Sequence, residues 1–298
     1  MEEKKCALVA IIGRPSAGKS TFLNDACQEN VSIVSPIPQT TRNAIRGIVN
    51  TSLGQLVFVD TPGWHKSEKK LNLILQKTAQ DQLEGADAIL YLIDAAREIG
   101  EEEESIAALV RPYAAKTIVA ANKCDLPEAK PLACKEFAGR ALPEIPSDRF
   151  FAISSKTDQG VEDLLRGLYA LAPVQPNLYP EGFYTDQEVE FRIAEVIRGE
   201  AINRLQEEIP HALYVEIADA EFKNEGKKLW VRAFLCVERE SQKGIVIGKG
   251  ASMIKAIRME SLKKLRDIFE YKIDLDLQVK VDKNWRQKDD RLSRLLKT

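Results

Sequence analysis

Two short stretches carry residue types suited to gripping phosphate. Gly13-Arg14-Pro15-Ser16-Ala17-Gly18-Lys19-Ser20, followed by Thr21, has the glycine, lysine and hydroxyl spacing of a phosphate-binding loop. The glycines let the backbone wrap tightly and turn its N–H groups toward phosphate oxygens. Lys19 is placed to reach the β- and γ-phosphates and Ser20 to ligate Mg²⁺. Asp60-Thr61-Pro62-Gly63 follows about forty residues on, where Walker-B chemistry requires an acid. Asp60 is expected to hold Mg²⁺ through water, and the Gly63 N–H to meet the γ-phosphate, so that this loop senses its presence.

A third stretch chooses the base. The Asp125 carboxylate of Asn122-Lys123-Cys124-Asp125 offers two acceptors to the N1–H and exocyclic amine on one edge of guanine. Adenine presents no such pair, which favours GTP and GDP over adenine nucleotides. The Lys123 stem can pack across the base. Ser154-Ser155-Lys156 is positioned for backbone contact with the guanine carbonyl oxygen. Gln39-Thr40-Thr41-Arg42 supplies a threonine that could close over Mg²⁺ and the γ-phosphate, and either Thr40 or Thr41 fits. Thr40, Thr41 and Gly63 are the candidates near the reacting phosphate. After Gly63 stands Trp64, where Ras-type GTPases carry the glutamine that orients water. An indole cannot do that, so slow intrinsic turnover is expected.

These loops need a sheet to hold them. Short apolar runs at Leu8–Ile12, Leu56–Asp60, Ala88–Asp94, Thr117–Asn122 and Phe150–Ser154 read as strands buried on both faces of a parallel sheet. Amphipathic stretches such as Lys19–Gln28, Leu71–Leu83 and Ile106–Ala114 alternate with them, giving a doubly wound α/β domain. Ala44–Thr51 is expected to pair antiparallel with Leu56–Asp60. Pro173, Pro176, Pro180 and Gly182 then crowd a stretch that reads as a linker. Beyond it, a helix over Glu188–Glu207, strands over His211–Phe222 and Lys228–Glu238, a basic helix over Ala251–Ile268, an alternating strand over Lys272–Asp282 and a last helix over Arg286–Leu296 give a small α+β unit, α-β-β-α-β-α. The domains are thus 1–172, a linker over 173–187, and 188–298.

Composition narrows the class. The 298 residues are 44% hydrophobic and 30% charged, as in an ordinary globular protein. No run approaches a membrane span, no secretory leader opens the chain, and five scattered cysteines propose neither disulfides nor zinc, so the cytoplasm is expected. Net charge is −2, yet residues 241–298 hold fifteen Lys/Arg against eight Asp/Glu. A basic end on an acidic body points to an anionic partner, nucleic acid or lipid headgroup.

Gly13–Ser20, Gln39–Arg42, Asp60–Trp64 and Asn122–Asp125 resemble the corresponding motifs of the Era-type GTPases. The resemblance continues through Leu178-Tyr179-Pro180, Phe191-Arg192, Ala194–Arg198, Val237–Glu240, Ile245–Gly250, Met253–Lys255, Val279–Val281 and Trp285, which resemble that family's hinge and its RNA-binding KH domain. It implies a P-loop GTPase domain followed by a KH unit. The partners it implies are the 3′ region of small-subunit ribosomal RNA and the small ribosomal subunit, whose assembly or maturation the GTPase assists. Peripheral membrane contact also occurs in the family, and a monomer is expected. The alternatives are a GTPase of tRNA modification or large-subunit assembly, or a nucleotide-gated module on the membrane surface.

By the same resemblance, Gly248-Lys249-Gly250-Ala251 stands as the GxxG loop that approaches an RNA backbone, with Ala251 in place of the last glycine. Alanine accepts a helical φ there but not a positive one. Lys249, Lys255 and Arg258 are the expected phosphate contacts.

Overall fold

The computed structural model describes residues 4–35, 37, 42–61, 63–64 and 70–296. Thr40, Thr41 and Pro62 lie outside the described residues. The chain forms two compact units: Met1–Ser32 with Thr41–Asp186, and Ile33–Thr40 with Gln187–Thr298.

The first unit runs β1 (Lys5–Ile12), α1 (Lys19–Cys27), β2 (Ile45–Thr51), β3 (Gly54–Asp60), α2 (Lys70–Gly85), β4 (Ala88–Asp94), α3 (Glu101–Val110), β5 (Thr117–Asn122), α4 (Pro131–Ala141), β6 (Phe150–Ala152) and α5 (Val161–Leu171). Its six-stranded sheet has the order β2-β3-β1-β4-β5-β6, parallel except for β2, which pairs antiparallel with β3. The near-continuous apolar strands are explained by cover on both faces. Alternate residues Ala10, Ile12, Tyr91 and Ile93 pack with Leu83, Ile106 and Phe137 from α2, α3 and α4. On the other face Phe22 of α1 meets Phe58 edge-on at 5.4 Å, and Gly167 lets α5 settle on Phe151 and Ile118. The helix expected over Ile106–Ala114 instead starts at Glu101 and ends at Val110. Pro112 has no N–H to continue the helical ladder, and Arg111–Lys116 tightens into a 3₁₀ segment.

The proline-bearing stretch that follows α5 is held against this unit through residue 186. The Ile48 N–H of edge strand β2 donates to the Tyr184 carbonyl at 2.9 Å. The buried Gln55 amide accepts from the Tyr179 N–H at 3.0 Å and donates to its carbonyl at 2.9 Å. Arg46 pairs with Asp186 at 2.9 Å. The last residues of this stretch, 183–186, thus cover part of the open hydrogen-bonding edge of β2.

The second unit contains α6 (Val189–Ile202), α7 (Ile209–Ala212), β7 (Tyr214–Lys223), β8 (Lys228–Val237), α8 (Glu240–Ile247), α9 (Ser252–Ile268), β9 (Lys272–Val281) and α10 (Asp289–Leu296). Its sheet is β7-β8-β9, with β7–β8 antiparallel and β8–β9 parallel. The expected order α-β-β-α-β-α lacks α8 and the one-turn α7. Helix α8 is a short segment, and its start is fixed by a side chain: Gln242 accepts from the Glu238 and Arg239 N–H groups, both at 3.0 Å. His211, expected in a strand, lies in α7. Ile193, Ile197, Leu235, Ile257, Leu265 and Leu275 form the core. Trp285 is buried beneath, its indole N–H on the Ala212 carbonyl at 2.8 Å and its ring against Tyr214. No helix among the described residues is long and apolar enough to cross a membrane.

Candidate functional site

All the expected nucleotide residues of the described chain gather at the carboxyl ends of β1, β3, β5 and β6, where ligands bind in open α/β sheets. The phosphate loop leaves β1 and enters α1. Gly13 is obligatory for packing, since a Cβ would stand 2.4 Å from the Leu92 carbonyl oxygen. Gly18 has φ +94°, and a Cβ there would meet the Asn122 amide nitrogen at 2.3 Å. Ser16 is exposed at the apex with φ 64°, a left-handed conformation that serine adopts at a cost.

Lys19 is buried, its ammonium donating to the Gly13 and Arg14 carbonyls at 3.0 and 3.1 Å. Burial pushes its pKa down, against the opposing charges of Asp60 and Glu103. The Ser20 hydroxyl donates to Asp60 Oδ2 at 2.7 Å, and the Ser32 hydroxyl to the same oxygen at 3.0 Å. Two hydroxyls and a carboxylate thus converge, an all-oxygen set matching the hard-cation preference of Mg²⁺. No cluster of three His, Cys, Asp or Glu suited to another metal occurs among the described residues.

Gly63 lies against the phosphate loop, its missing Cβ only 2.9 Å from Pro15 Cα. Trp64 donates its backbone N–H to the Gly13 carbonyl at 3.3 Å and its indole N–H to the Ser105 hydroxyl at 3.1 Å. The ring packs against the α2–α3–α4 core. The Thr61 hydroxyl is committed to the Ile11 carbonyl at 2.7 Å.

On the base side, Asn122 is almost wholly buried and ties loops together. Its amide donates to the Ala17 carbonyl at 3.0 Å, and its oxygen accepts from the Ser155 N–H and hydroxyl, each at 3.0 Å. Asp125 receives the Ser154 hydroxyl at 2.7 Å, and Lys156 is exposed. Lys123, with φ 68°, pairs with Asp94 at 2.7 Å. Asp94, Ser32 and Glu103 are missing from the residues picked out by motif. Asp94 had a visible signal, being the polar end of a buried strand like Asp60 and Asn122. Ser32 had none, because its meeting with Asp60 depends on the clamp of Asn24, whose oxygen accepts from the Val31 and Ser32 N–H groups at 2.9 and 2.8 Å. Arg14 faces inward rather than outward, 4% exposed, with Nε 3.2 Å from Glu103 Oε1.

In the second unit, Gly248–Ala251 links α8 to α9. Gly248 takes φ 73° and ψ 168°, a combination essentially restricted to glycine, and a Cβ there would stand 2.8 Å from Met253 N. Gly250 has φ 59° with open space around it. Ala251 has φ 63° and ψ 24°: the fourth position is left-handed, the case alanine tolerates poorly. Lys249 and Lys255 are exposed. Arg258 donates its Nε–H to the Leu275 carbonyl of β9 at 2.6 Å, and its side chain stays 41% exposed.

A P-loop sheet with these four loops, followed by a unit of this topology, defines a GTPase carrying a KH domain. The family model for the 50S ribosome-binding GTPases matches residues 8–123, and that for the KH domain matches residues 208–286. GTPase Era of Treponema denticola is 59% identical over 97% of this chain and 98% of its own length. GTPase Era of Borreliella burgdorferi is 41% identical over 98% of this chain and 99% of its own. Among solved structures, Era in complex with MgGDPNP and nucleotides 1506–1542 of 16S ribosomal RNA matches with a TM-score of 0.92 and 31% identity, covering 98% of each chain. A variant of Aquifex aeolicus Era bound to GDP·AlF4⁻ gives 0.91 and 30% identity over the same shares. The chain belongs to the GTPase Era family, and it hydrolyses GTP.

Proposed function

We propose that this GTPase binds the 3′ region of small-subunit ribosomal RNA in a nucleotide-dependent way and assists assembly or maturation of the small ribosomal subunit. The observation that carries this reading is the likeness, over 98% of the chain, to an Era structure holding both MgGDPNP and a 16S ribosomal RNA segment. The nucleotide is held by Gly13–Thr21, Asp60–Gly63, Asn122, Lys123, Asp125 and Ser154–Lys156. Asp125 selects guanine. Asn122 acts by fixing the phosphate loop to the Ser155 loop, as its hydrogen bonds support. Mg²⁺, held by Ser20, Asp60 and a threonine of 40–41, neutralises phosphate charge when bound. Gly63, abutting Pro15, is placed to register the γ-phosphate.

Trp64 is turned toward Ser105 and supplies no water-orienting group, so intrinsic turnover is slow and awaits an RNA or ribosomal stimulus. Gly248–Ala251 brings the backbone close to RNA, and Lys249, Lys255 and Arg258 meet its phosphates. Residues 173–187 connect the two activities. Linkage requires reciprocity: if GTP raises RNA affinity, RNA raises GTP affinity by the same factor. The test is filter binding of the full chain to a small-subunit 3′-end RNA with a non-hydrolysable GTP analogue or with GDP. Equal affinities remove the nucleotide dependence. Crosslinking in cell extract with sequencing of the captured RNA tests the partner, and recovery of tRNA or large-subunit RNA instead would overturn it.

A further inference from the structure

The second residue of the phosphate loop is a buried arginine whose charge goes nowhere near solvent. Arg14 is 4% exposed and Glu103, its partner at 3.2 Å, is 0% exposed. Arg14 Nη1 donates to the Glu98 carbonyl at 3.1 Å and Nη2 to the Asp94 carbonyl at 3.5 Å. Glu103 also accepts a hydrogen bond from the Tyr91 hydroxyl. A buried ion pair is an expensive way to stabilise a core, since apolar residues of like volume often do as well or better. Its geometric effect is particular. One guanidinium ties the phosphate loop at three points, by hydrogen bonds to carbonyls at the end of β4 and in the following loop and by ionic contact with Glu103 of α3. The backbone carbonyls of Gly13 and of Arg14 itself are those that receive Lys19. Asp94, whose carbonyl Arg14 touches, holds Lys123 with its carboxylate. Two residues past Glu103, Ser105 receives the Trp64 indole.

We infer that Arg14 and Glu103 are positioning residues of the GTPase reaction. The pair sets the phosphate loop, and with it Lys19, against a platform at the start of α3 that also carries Trp64. The Arg14 guanidinium is turned inward onto Glu103, and the pair acts through the backbone of the loop. Its worth lies in holding the loop within the small tolerance that the reacting geometry demands, where displacements near 1 Å cost on the order of 100-fold.

Two variants separate this from simple support of the fold, because neither strands a buried charge. Arg14→Lys keeps a cation for Glu103, but a single ammonium cannot reproduce the three-point fork. Arg14→Met with Glu103→Gln removes both charges together. Each is measured by thermal unfolding and by single-turnover GTP hydrolysis at saturating nucleotide, well below its own midpoint. The expected result is a fold retained in both variants and a rate at least about tenfold below that of the unaltered chain. A rate within about threefold of the original in either folded variant would overturn the inference. If the doubly neutral variant does not fold, Arg14→Lys decides alone. If neither folds, the pair is a pillar of the fold and the inference fails.

Discussion

Replacing Ala251 by glycine should stabilise the second unit, contrary to the usual effect of introducing glycine beside a helix. Ala251 directly precedes α9 with φ 63° and ψ 24°. Left-handed backbone costs an L-residue with a Cβ about 1–2 kcal/mol, and glycine escapes that cost. Against it stands the greater freedom of glycine in the unfolded chain, about 0.4–1 kcal/mol. The backbone bond from the Ala251 N–H to the Gly248 carbonyl, 3.1 Å, is retained. The balance is a gain of about 0.5–1 kcal/mol, or roughly 2–5 °C for a unit of this size. The assay is thermal unfolding of the full chain followed by tryptophan emission, since Trp230 and Trp285 both lie in this unit. Gly248→Ala is the control of opposite sign: strained φ and a Cβ at 2.8 Å from Met253 N should cost about 2–4 kcal/mol. A midpoint lowered by Ala251→Gly would refute the argument from backbone strain.

Three further outcomes are expected. Asp125→Asn removes a charged acceptor from the guanine edge and should weaken GTP by about 2–3 kcal/mol while favouring xanthine nucleotides; unchanged GTP affinity in equilibrium binding would sink the base-recognition argument. Trp64→Ala should alter single-turnover hydrolysis by less than about tenfold, because the indole is engaged with Ser105, and a thousandfold loss would reveal a direct role. Burial, and then the charge of Asp158, lift the Asp25 carboxyl to about 6. A raised carboxyl binds its proton more tightly in the folded chain, so stability falls as pH rises from about 4 through 6 and the full penalty stands at pH 7. After discounting for its partial exposure, Asp25→Asn should gain about 1 kcal/mol at pH 7 without nucleotide and nothing near pH 4; the same gain at both values would contradict this origin.

Where polar groups end apolar strands, sequence discloses function easily. Asp60 and Asn122 could be picked out because burial on both faces forces strands to read as apolar runs, so a polar terminus stands out. The same physics makes Asp94 legible, although no motif names it. Loop residues that act through distant partners leave no such trace. Arg14 reads as a phosphate ligand by position and turns inward only because Glu103, far along the chain, lies beneath it. Helix α8 leaves little trace in the sequence because its start depends on one glutamine bonding backward to two N–H groups rather than on an apolar stripe. The stretch 173–186 reads as a linker from its prolines, yet its last residues lie along edge strand β2, and Gln55, buried among the apolar residues of β3, holds Tyr179. A buried polar side chain in an apolar strand is therefore a signal in its own right: it requires a partner, and here the partner is the segment leading to the second unit.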